Sequence, residues 1–84
     1  MSTPRCEFIT EHIRTVLPDA DITVRDPHQD DTHFEALVIS EQFNGMTRVK
    51  RHQLVMTPLR DAIESNTIHA LALSTYTPAE WAAQ

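Results

Sequence analysis

Two β-rich runs, residues 33–40 and 67–73, are separated by a stretch that reads as helix and turn from end to end. Such a gap rules out a hairpin and favours a parallel crossover, right-handed like nearly all connections of that kind. A chain of 84 residues has room for one such unit and little more, so we expect a single domain over residues 1–84 with a small core.

The flanking pattern agrees. Cys6, Ile9, Ile13 and Val16 or Leu17 recur at three- and four-residue spacing behind Thr3 as a cap and Pro4 in the first turn, predicting an amphipathic helix over residues 4–17. Pro18-Asp19-Ala20-Asp21 ends it, residues 22–26 alternate as a short half-buried strand, and 27–32 form a polar loop. In the second strand Phe34, Ala36 and Val38 share the core side. Residues 40–43 can make one helical turn, stopped at Asn44-Gly45, where the only glycine of the chain suits a positive φ. Between 47 and 65, Val49, His52, Met56, Leu59 and Ile63 fall on one stripe, which predicts the buried face of the longest helix. Pro58 lies inside that pattern and predicts a kink or break. Thr77-Pro78-Ala79-Glu80-Trp81 reads as a helix start, with Thr77 capping and Glu80 reaching back to the cap's own N–H. The predicted order is α-β-β-α-α-β-α.

No apolar run is long enough to span a membrane, and the start of the chain shows neither a secretory signal nor a lipidation motif, so the expected address is cytoplasmic and no membrane partner is expected. A lone cysteine, Cys6, cannot build an internal disulfide framework and reads as a small buried hydrophobe. The net charge is −5, unevenly spread. Seven acids stand between Asp19 and Glu41 against Arg25 alone, whereas Arg48, Lys50 and Arg51 cluster with His52 beside them. An acidic chain is a poor sequence-independent DNA binder, yet a local basic patch can steer an acidic partner.

The five histidines read differently. His69, near the start of the third strand, is either a hydrogen-bonded structural residue or a ligand. His28 and His33 flank the acidic loop, as solvated residues or, with Asp30 and Asp31, as a weak hard-metal site. His52 reads as an imidazole packed within the long helix's stripe, and His12 as a boundary residue without a role. No nucleophile elbow, Walker loop, dinucleotide fingerprint or Cys-x-x-Cys is present, so we do not expect an enzyme.

Phe43-Asn44-Gly45, Arg48-Val49-Lys50-Arg51-His52, Ile68-His69-Ala70-Leu71 and the Thr77-to-Trp81 segment follow one another in an order that resembles the BolA family over about His33 to Trp81. That resemblance implies an α+β fold: a three-stranded mixed sheet with helices on one face, related to the type II KH fold. It also implies that His69 ligates a 2Fe-2S cluster shared with a monothiol glutaredoxin and glutathione, with none held by the isolated chain. The family places a second ligand, histidine or cysteine, in the loop between the first two strands. The loop here has no cysteine, so His28 is the first choice and His33 the second. Arg48, Lys50, Arg51 and His52 would form the surface that partners meet.

Two functions follow. One is a non-enzymatic iron–sulfur partner protein, acting in cluster transfer and maturation or in iron and stress signalling. The other is a DNA-binding transcription regulator using the helix-turn-helix-like segment 40–65. The acidic net charge, the lack of a Gly-x-x-Gly clamp and the few aromatics weigh against nucleic acid, and the first reading is preferred. Whether the free chain self-associates, and whether the basic patch meets protein or DNA, the sequence leaves open.

Overall fold

A computed structural model describes residues 4–30, 33–64 and 70–84. Helix α1, Pro4–Val16, buries Cys6, Ile9 and Ile13, and Leu17 follows them into the core. Pro18 has no N–H to extend it, and the chain turns into β1, Asp21–Arg25. Strand β2, His33–Ile39, lies antiparallel to β1 and parallel to β3, Ala70–Tyr76, giving a mixed sheet of order β1-β2-β3. The parallel pairing of β2 with β3 is the crossover expected from the long helical gap.

That gap is built in steps. The Ser40 hydroxyl accepts from the Gln42 N–H to start a 3₁₀ turn over Glu41–Phe43, and Gly45 takes φ +80°. Thr47 caps α2, Arg48–Met56, by accepting from the Lys50 N–H. At Pro58 the helix gives way to a 3₁₀ turn, Thr57–Leu59, before α3, Arg60–Glu64. The predicted break is therefore present, for the predicted reason: Pro58 cannot donate to the helical ladder.

Phe34, Ala36 and Val38 are buried on the core side of β2, against Ile9, Ile13, Phe43, Val55 and Leu59. Ile22, Val24, Leu71 and Leu73 complete that face from the outer strands. The opposite face carries Thr23, Arg25, Glu35, Leu37, Ala72 and Ser74, so α1, α2 and α3 cover one side of the sheet only. Helix α4, Pro78–Ala82, follows β3 and places the Trp81 ring 5.3 Å from that of Tyr76. Its capping box is complete: Glu80 N–H donates to the Thr77 hydroxyl at 3.1 Å, and Thr77 N–H donates to the Glu80 carboxylate at 2.8 Å.

Three sequence expectations change. Strand β1 begins at Asp21, one residue earlier than predicted. Strand β3 runs to Tyr76, because Ser74, Thr75 and Tyr76 stay in register with Leu37, Val38 and Ile39 and the Tyr76 carbonyl accepts from Ser40 N–H. The largest change concerns the long helix: its buried residues are Arg51, Val55, Leu59 and Ala62, while Val49 and His52 are exposed and Met56 and Ile63 half-buried. Thr3 as a cap, and residues 67–69 as the start of the third strand, lie outside the described residues. No helix among the described residues is long and apolar enough to cross a membrane.

Candidate functional site

The loop between β1 and β2 brings two of the predicted ligand residues together. The carbonyl of Asp26 accepts from the Gln29 N–H at 3.1 Å, and Gln29 takes φ +55°, reversing the chain after Pro27 and His28. The Asp26 carboxylate accepts from Asp30 N–H at 3.3 Å. As a result the His28 and His33 rings stand edge to face, with centroids 6.1 Å apart. Asp30 then fixes His33 twice: one oxygen accepts from the His33 backbone N–H at 3.1 Å, and the other lies 2.8 Å from Nδ1. An imidazole held at Nδ1 by a carboxylate presents Nε2 as its ligating atom, the arrangement common behind metal-bound histidines.

His33 also opens β2, where it pairs in register with Ala70, the first residue of β3. In the chain, Ala70 directly follows His69. His69 itself lies outside the described residues. Among the described residues no three His, Cys, Asp or Glu side chains converge on a possible metal ion.

The predicted basic surface is smaller than the sequence implies. Arg48 and Lys50 are exposed at the start of α2, but Arg51 is 8 % exposed and points inward. Its Nε donates to the Met46 carbonyl at 3.1 Å, its Nη1 donates to Glu80 at 2.7 Å, and its guanidinium lies 5.7 Å from the Phe43 ring centroid. Arg51 is thus a structural bolt between α2 and α4. The Arg51 hydrogen bond, reinforced by that from Thr77 N–H, holds the Glu80 carboxyl down at about 2. His52, expected within the packing, is exposed and lines a groove of about 290 Å³ with Met56, Arg60 and Ile63. His12 is half-buried, its Nδ1 2.8 Å from the Phe8 carbonyl.

Sequence reasoning missed the Arg51–Glu80 link and the Asp30 support of His33. Only the second had a local signal, since Asp30 stands three residues before His33; the first joins positions 29 residues apart.

The model of the family described as BolA-like protein matches residues 13–80. The acid stress protein IbaG of Escherichia coli K12 is 43 % identical over 72 residues, covering 83 % of this chain and 84 % of that protein. The DNA-binding transcriptional regulator BolA of Vibrio cholerae is 47 % identical over 55 residues, covering 66 % of this chain and 51 % of that protein. Among solved structures, BolA1 of Arabidopsis thaliana superposes with a TM-score of 0.79 at 32 % identity, covering 94 % of this chain and 98 % of the other.

Proposed function

The chain belongs to the BolA-like family, and from that premise we propose that it is a non-enzymatic partner protein which holds a 2Fe-2S cluster jointly with a monothiol glutaredoxin and glutathione, for cluster transfer or for iron and stress signalling. The observation that carries this reading is the orientation of His33. Asp30 grips its Nδ1 at the mouth of β2, in register with the residue that follows His69. The geometry favours His33 over His28 as the loop ligand, because the His33 ring has a carboxylate to set its tautomer and direction. His69 would supply the other imidazole. Histidine in place of thiolate lowers the negative charge at a cluster and raises its potential, and a neutral ligand leaves more readily when the cluster passes on.

The test is a visible absorption and circular dichroism spectrum of the reconstituted mixture with a monothiol glutaredoxin and glutathione. We expect His69→Ala to abolish or markedly alter the bands while the isolated chain keeps its fold. His33→Ala should disturb them more than His28→Ala. An unchanged spectrum with His69→Ala would overturn the proposal.

A second reading has the names of relatives behind it, since the Vibrio cholerae protein is called a DNA-binding transcriptional regulator. Arg48 and Lys50 could touch phosphates, but Arg51 is committed to Glu80. A salt-sensitive affinity for duplex DNA that is lost on Arg48→Gln with Lys50→Gln, alongside no cluster in the mixture, would reverse the order of the two readings.

A further inference from the structure

Two large apolar side chains stand exposed among the described residues, Val49 at 66 % and Trp81 at 44 %. Their electrostatic settings are opposite. Val49 lies between the exposed Arg48 and Lys50 on the first turn of α2. Trp81 shares a groove of about 450 Å³ with Ile39 and Pro78, and the carboxylates of Asp19, Asp21 and Glu41 line the same groove. Neither Arg48 nor Lys50, nor any of those three acids, has an ion-pair partner among the described residues. One chain therefore carries a basic ridge with an aliphatic knob and an acidic groove with an apolar floor.

The helices that carry the two features are linked: Arg51, two residues after Val49, is bonded at 2.7 Å to Glu80, the residue before Trp81.

We propose that the Arg48-Val49-Lys50 ridge of one copy docks into the Trp81 groove of a second copy, and that a two-fold axis makes this contact twice. Exposed apolar side chains ringed by charge are recognition features rather than ordinary surface. Here the charge around one is the complement of the charge around the other. About a two-fold axis the second copy returns its own ridge to the first copy's groove, which closes the assembly as a dimer rather than a filament. Val49 then leaves water against Trp81, Ile39 and Pro78, while Arg48 and Lys50 meet acids that have no ion-pair partner among the described residues of their own chain. No histidine takes part, and the test uses the isolated chain, so its outcome is independent of the cluster proposal.

The experiment is sedimentation equilibrium of the full chain in the absence of glutaredoxin. Raising salt from about 0.01 M to about 1 M shortens the screening length from about 30 Å to about 3 Å and should weaken the dimer at least about tenfold. Two charge-reversed chains, Arg48→Glu with Lys50→Glu and Asp21→Lys with Glu41→Lys, should each weaken self-association at least about tenfold, because like charges then face each other. Mixed in equal amounts they should form a one-to-one heterodimer within about threefold of the parent affinity, since every reversed charge again meets its opposite. A chain that stays monomeric at about 1 mM at low salt, a dimer indifferent to salt and to both reversals, or a folded mixture that fails to pair would overturn the proposal. If either reversed chain loses its circular dichroism signal, Val49→Ser takes its place, and parent-like self-association of Val49→Ser overturns it equally.

Discussion

At the residue scale, Glu80 concentrates the physics of this chain. Its carboxylate accepts from Arg51 and from the Thr77 N–H, so the folded state holds it charged down to about 2 against an ordinary 4.5. A carboxyl whose pKa is depressed by folding contributes its stability above the unfolded value and loses it as pH falls toward the folded one. Thermal stability should therefore drop between about pH 4.5 and pH 2, and Glu80→Gln should be less stable at neutral pH with a flatter profile across that window, read by circular dichroism melts. Thr77 serves the same box from the other side, and Thr77→Ala should cost about 1 kcal/mol in urea titrations. The box itself was legible in Thr77-Pro78-Ala79-Glu80, because both partners are local. The Arg51 contact was not, because it joins positions 29 residues apart and nothing in the spacing of either segment demands it. The same holds for the ring pair of His28 and His33: both residues were candidates, but their meeting depends on the reversal at Gln29.

At the element scale, the segment from Arg48 to Glu64 shows why a periodic pattern can name the right helix and the wrong face. Two stripes compete for the core and share Leu59: Val49, His52, Met56 and Ile63 on one, Arg51, Val55 and Ala62 on the other. By residue type alone the stripe that starts at Arg51 is the poorer candidate for burial, because its first member carries a charge. It wins because the Arg51 guanidinium lies over the Phe43 ring and reaches the Met46 carbonyl and Glu80, so the charge enters a buried position already partnered. Alanine substitutions separate the stripes. Val55→Ala removes two buried methyl groups and should cost about 2 kcal/mol, whereas Val49→Ala should change monomer stability by less than about 0.5 kcal/mol. Equal losses at the two positions would return Val49 to the core. The break at Pro58, the turn at Gly45 and the core side of β2 were readable in advance, because each follows from local chemistry at one or a few positions. The extension of β3 through Ser74 and Thr75 was not, since only pairing with Leu37 and Val38 makes those polar residues strand.

At the scale of the whole molecule, the histidine pair and the charged patches occupy different parts of the fold. The sheet mouth holds His33 and Asp30 beside the first residue of β3, while the basic ridge stands at the start of α2 and the acidic groove at Trp81. The parallel crossover from β2 to β3 could be inferred from the length of the gap, but the charge map could not, because three clustered basic residues in the sequence become two at the surface once Arg51 turns inward. This distinction sets a quantitative limit on nucleic-acid binding. Each phosphate neutralised on duplex DNA contributes about −0.9 to the slope of log affinity against log salt, so Arg48 and Lys50 together give about −2, and a patch with Arg51 available would give about −3. Fluorescence anisotropy of the isolated chain on a short duplex, across a salt series, should therefore yield a weak affinity with a slope no steeper than about −2. Arg48→Gln with Lys50→Gln should remove it, because the remainder of a chain of net charge −5 repels the phosphates. A slope of about −3 or steeper would mean that DNA draws Arg51 away from Glu80 or engages cations elsewhere, and the basic face of this protein would then have to be sought beyond the first turn of α2.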